Sequence, residues 1–179
     1  MEMRTAAEWL NPVRIGGMAA YFVASASCAA VSARAASRRI SRLAAILGAF
    51  HVVLLLDITF DLRWKLYEWL QGEAVAYGWY DRRHWPQVGM LTILALLLLT
   101  GVTIVRRRFA SPPGAALAIE GSLLSLGCWA TEIISLHSTD AVLYHPAGPL
   151  MIISFVWILA SAMTTVGIFR AGIRGRRVL

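Results

Sequence analysis

Four ionisable side chains stand inside otherwise apolar runs of this chain: His51, Asp57, Glu120 and Glu132. Holding a charge in hydrocarbon costs at least ~2.5 to 3.5 kcal/mol on insertion scales, so such residues usually have a task. Asp57 and Asp61 are four apart and share a helix face, with Lys65 one turn further on if the helix continues. Glu132 lies near the end of a later run, and the stretch that follows, STDAVLYHP after His137, adds Asp140 and His145. Two carboxylates from one helix, one from another and two loop imidazoles are the parts of a divalent-metal site or of an acid/base pair. A metal there would ionise a bound water and direct it at a lipid or headgroup ester. The candidate catalytic residues are Asp57, Asp61, Glu132 and His137. The candidate metal ligands are His137, Asp140 and His145, and a divalent metal is the one cofactor these residues suggest.

A plainer reading stands beside that one. Arg63 or Lys65 could neutralise Asp57 and Asp61 as a structural ion pair at the membrane edge, and His137 and His145 could serve as loop hydrogen-bonding groups. Glu132 and His137 are five apart, which does not align them on a regular helix, and no His-x-x-x-His or Cys-x-x-Cys spacing occurs. His51 falls near mid-span, while His84, His137 and His145 lie at the outer edge, so haem ligation lacks a second ligand at matching depth. A hydrogen bond from His51 to a Ser or Thr on a neighbouring helix is expected instead. Glu120 is expected to pair with one of Arg106, Arg107 and Arg108. No nucleophile elbow, P-loop or dinucleotide fingerprint is present.

The elements that must position these residues are transmembrane helices. Of 179 residues, 58% are hydrophobic and only 15% charged, and the charges gather between apolar runs. The runs 16–33, 43–60, 88–105, 115–136 and 147–169 each approach the ~20 residues that a bilayer core requires. Small residues at Ala24, Ala26 and Ala33 would suit a signal peptidase, but cleavage would leave Arg34, Arg38, Arg39 and Arg42 outside, against the positive-inside rule. With the N-terminus outside, eleven Lys and Arg fall on the inner side and six on the outer, so the C-terminus is expected in the cytoplasm of a bacterial-type inner membrane. The net charge of +7 is then a matter of topology, and no nucleic-acid partner is expected. Asp57 and Glu132 stand on spans of the same direction and reach similar depth near the outer surface.

Packing signals follow. Gly121 with Ser125, Ala118 with Ser122, and Ala160 with Thr164 are four-residue pairs of small side chains that let helix backbones approach closely, which puts the fourth span at the bundle centre. Cys28 and Cys128 lie at different depths and are expected as free, buried thiols. Residues 62–80 read as an interfacial helix whose apolar face carries Leu62, Leu66, Trp69, Leu70, Ala74 and Tyr77, with Arg63 and Glu73 intruding and Gly78 ending or bending it. The opening residues to Ile15 read as an interfacial segment broken at Asn11-Pro12, Pro112-Pro113 as an inner turn, and the basic tail after Phe169 as an orientation signal that could also attract anionic lipid.

The expected fold is a single all-α bundle of about five transmembrane helices with an outer interfacial amphipathic helix. The expected function is a protein that binds or acts on a lipid or other membrane-associated small molecule at the outer-face polar site, with membrane lipids as partners. The alternative is a non-catalytic accessory or assembly subunit of a larger membrane complex, docked on another membrane protein or on its own copy. Five short spans without broken-helix pairs make a carrier the weakest of the three readings.

Overall fold

The computed structural model describes residues 11–109 and 114–174. The opening segment before Asn11, the Pro112-Pro113 turn and the tail beyond Arg174 lie outside the described residues. Among the described residues five helices are long and apolar enough to cross a membrane, and the chain is an all-α multi-pass bundle.

The first, α1 (Pro12–Arg34), starts where the sequence suggested a break. Asn11 caps it, its side chain accepting from the Val13 amide at 2.9 Å, and Pro12 takes the first helical position, where a missing N–H costs nothing. The helix therefore begins four residues before the expected boundary and includes Arg14. Next comes α2 (Arg38–Phe60), tied to α1 by reciprocal bonds in which Ser41 Oγ donates to the Ser32 carbonyl at 2.8 Å and Ser32 Oγ to the Ser41 carbonyl at 3.1 Å. Asp61, at φ 54°, breaks the chain into α3 (Leu62–Ala76). Beyond α3, Gly78 at φ 69° turns the chain into a 3-10 segment (Tyr80–Arg82) that leads to α4 (His84–Arg108). The fourth span is α5 (Ala115–Ile134), followed by a short α6 (His137–Leu143).

The last span differs from expectation at its start. Residues 146–151 form a small antiparallel hairpin, β1 (Pro146–Ala147) and β2 (Leu150–Met151), with Pro146 opposite Met151 and Ala147 opposite Leu150. Gly148 at φ 70°, followed by Pro149, makes the turn, so the helix α7 (Ile152–Arg174) begins five residues later than the apolar run.

α1 packs on α2 and α7, and α7 on α5. The small residues do what their spacing predicts. A Cβ on Gly121 would lie 2.5 Å from the Ala160 carbonyl oxygen and 2.7 Å from the Thr164 nitrogen, and one on Gly167 would lie 2.4 Å from the Ala118 nitrogen. Thr164 Oγ1 donates at this contact to the Ala160 carbonyl at 3.1 Å. One apolar core, with Cys28, Ile40, Leu47, Ala118 and Ile168, fills the end of the bundle away from α3. A second, with Tyr21, Leu54, Ile58, Cys128, Ile153 and Trp157, fills the α3 end and forms the floor of the site. Both cysteines are free. By contrast, α4 packs chiefly on α5 and buries only Val105 among its residues.

Candidate functional site

α3 turns one edge of its helical wheel toward the bundle. Leu62, Leu66, Trp69, Leu70 and Tyr77 are exposed, while Arg63, expected as an intrusion on the apolar side, is 4% exposed and turned inward with Ala74. The cause is Asp61. Its left-handed φ, a conformation that Asp tolerates better than most residues, resets the helical phase between α2 and α3 and swings Arg63 back over the last turn of α2.

Arg63 then joins three elements. Its backbone N–H donates to Asp57 Oδ1 at 2.8 Å, so Asp57 supplies the acceptor that the first turn of α3 needs. Its Nε donates to Asp57 Oδ2 at 2.6 Å, and its Nη1 donates to Glu132 Oε2 on α5. The other Glu132 oxygen accepts from the Tyr144 hydroxyl at 3.0 Å. The guanidinium carbon lies 5.3 Å from the Trp157 ring centre, a cation–π distance. Burial alone would lower the Arg63 pKa, but the Glu132 and Asp57 carboxylates outweigh it and hold the guanidinium above its ordinary range. Burial, and next the Glu132 carboxylate, push the Tyr144 phenol up, which keeps it a hydrogen-bond donor. A second pair stands alongside: Arg14 Nη1 donates to Asp61 Oδ2 at 3.1 Å and its Nη2 to the Thr59 carbonyl.

These groups border a cleft of about 420 Å³, within the range of small-molecule sites. Asn11, Arg14, Asp61, Arg63, Glu132 and Tyr144 are its polar lining, and Val13, Ile58, Trp64, Met151 and Trp157 its apolar walls. Arg63 Nη2 is buried and has no hydrogen-bond partner among the described residues.

The expected cluster thus divides. Asp57, Asp61 and Glu132 gather at one end of the bundle, as the parallel direction of α2 and α5 requires. His137 and Asp140 line a different cavity, and His145 lines neither. Ser135, at φ 48°, turns the chain away from α5 before His137, and its hydroxyl holds Asp140 Oδ2 at 2.6 Å. Among the described residues no group of three or more His, Cys, Asp and Glu side chains is placed to hold a metal ion, so His137, Asp140 and His145 do not form the constellation expected of them. Lys65 is exposed, and Arg63 is the cation that pairs with Asp57. His51 bonds the carbonyl of its own Leu47 through Nδ1 at 2.9 Å rather than a Ser or Thr on another helix, with its ring against Tyr21 and Phe50. Glu120 pairs with Arg106 at 2.7 Å, as its position suggested. Arg14, Tyr144 and Trp157 were not singled out. The signals available were an arginine inside a capped helix start and a tyrosine next to His145. No family model matches this chain, and neither does a curated protein or a solved structure.

Proposed function

We propose that this protein binds a membrane-associated amphiphile, a lipid or lipid-like small molecule, in the cleft framed by Arg63, Glu132 and Trp157. The observation that carries this reading is the Arg63 guanidinium: buried beside an apolar-walled cleft, its Nη2 has no acceptor among the described residues. A buried donor without a partner costs roughly 1 to 3 kcal/mol, which an oxygen of a ligand headgroup would offset. Trp64, Trp157, Ile58 and Met151 suit the apolar part of the same molecule. Binding fits better than hydrolysis, because both oxygens of Asp57 and both of Glu132 already accept hydrogen bonds. The eleven-to-six distribution of basic residues supports an orientation with this cleft outside and the C-terminus in the cytoplasm of a bacterial-type inner membrane.

The test is mass spectrometry of the protein extracted in mild detergent. Wild type should carry a discrete lipid-like adduct, and Met151→Trp, which fills the cleft, should lose one equivalent of it. No adduct, or equal retention by the variant, would refute the reading. A second reading, an accessory subunit of a larger membrane complex, is favoured by α4, whose long apolar surface is left uncovered by the rest of the chain. Recovery of a stoichiometric protein partner, with no adduct, would support it.

A further inference from the structure

Further along α3, two adjoining cavities share Tyr67, Tyr80, Arg83 and Gln87, and neither has a residue in common with the Arg63 cleft. One is an apolar slot of about 230 Å³ walled by Leu70, Ala74, Trp79, Pro86, Met90 and Ile133. The other is a polar bowl of about 380 Å³ that adds Asp81, His84, Ser135, His137 and Asp140. The slot runs beside the first turns of α4 and the last of α5, and the bowl caps them, an order that matches the passage from hydrocarbon to headgroup depth.

The frame between them is built. Gln87 Nε2 donates to the Ile134 and Ser135 carbonyls at 2.9 and 3.1 Å, closing the end of α5 onto α4, and Gln71 Nε2 donates to the Tyr80 hydroxyl at 2.9 Å. The Arg83 guanidinium carbon lies over the Tyr80 ring, 3.6 Å from its centre, at the border of slot and bowl. Among the described residues Arg83 forms no salt bridge. Asp140 Oδ1, in the bowl, is buried with no hydrogen-bond partner among the described residues.

We propose that this groove is a second site, distinct from the Arg63 cleft, for a phospholipid with an amine-bearing headgroup. The phosphate sits on the planar Arg83 fork, which suits its oxygens. The ammonium faces Asp81 and Asp140, and an acyl chain lies in the slot against Met90. The two carboxylates decide the headgroup, since a purely anionic one would meet repulsion where an ammonium meets attraction.

Delipidated full-length protein in non-ionic detergent is offered equal amounts of phosphatidylethanolamine and phosphatidylglycerol with identical chains, and bound lipid is counted by native mass spectrometry. Wild type is expected to retain the ethanolamine lipid in preference. Arg83→Gln and Met90→Trp should each weaken that retention about tenfold, the scale of one charge-assisted contact. Ile46→Ala, on the lipid-facing side of α2, should leave it unchanged. Two variants acting on different parts of the ligand guard against one that fails to fold. Equal retention of the two lipids, or undiminished retention in both variants, overturns the proposal. So does displacement by soluble phosphoethanolamine, which would make the ligand a free headgroup compound. Because Met151→Trp and Met90→Trp fill different cavities, failure here is separable from failure at the cleft.

Discussion

Replacing Arg63 with methionine tests how the α3 end is held. The guanidinium is buried and bridges Asp57 to Glu132, so its removal leaves two carboxylates facing each other with no cation between them. Breaking a buried pair by deleting one partner costs about 3 to 5 kcal/mol, mostly because the remaining charge is stranded. The second change is Glu132→Gln. In wild type it weakens the bond to Arg63 and should destabilise by roughly 1 to 3 kcal/mol. In the Arg63→Met background the same change removes a stranded charge and should stabilise. That reversal of sign distinguishes an ion cluster from simple loss of packing, which would destabilise in both backgrounds. Detergent-titrated unfolding followed by tryptophan fluorescence gives the four corners of the cycle. If the two changes add to within about 0.5 kcal/mol, Arg63 and Glu132 are not coupled and the reasoning fails.

Other outcomes follow from the same geometry. Gly121→Ala should cost about 1 to 3 kcal/mol, because its Cβ would meet the Ala160 backbone, whereas Gly72→Ala, in α3 with open space around it, should gain about 0.5 to 1 kcal/mol; unfolding midpoints of the two decide. Tyr144→Phe should cost about 1 to 3 kcal/mol by leaving Glu132 Oε1 without its donor. Since the folded state holds the Tyr144 phenol above its usual value, the stability it contributes is intact below about pH 10 and is lost as the pH rises further. The Phe variant should therefore show a shallower alkaline loss. Cys28 and Cys128 should react with a membrane-permeant maleimide only after unfolding, without prior reduction; rapid labelling of the folded protein would contradict their burial.

The gathering of Asp57 and Glu132 was legible because it depends only on span direction and depth, which hydropathy and charge distribution carry. The inward turn of Arg63 was not. A helical wheel over 62–77 gives the order of residues around α3 but not which edge meets the bundle; that is set by the left-handed Asp61 just before it, with no glycine to mark the place. The same happens at Ser135, where an unmarked left-handed residue sends His137 and Asp140 away from Glu132. Where the turn chemistry was overt, reading and structure agree: Gly78 ends the α3 segment at φ 69°. Asn11-Pro12 carried a usable signal of the opposite meaning, a cap and first residue rather than a break, and that difference is what brings Arg14 into α1. Gly148-Pro149 lies in an apolar context, and hydropathy alone could not separate its hairpin from the start of α7.

The account rests on the cleft beside Arg63 holding an amphiphile, and site-directed photo-cross-linking reads that occupancy in place. A benzophenone amino acid replaces Trp64, which lines the cleft, or Ile104, on the exposed surface of α4. Irradiation in native membranes should attach one discrete lipid-like species at position 64 in high yield, and a mixture reflecting bulk lipid at position 104. The same mixture at both positions would contradict the account.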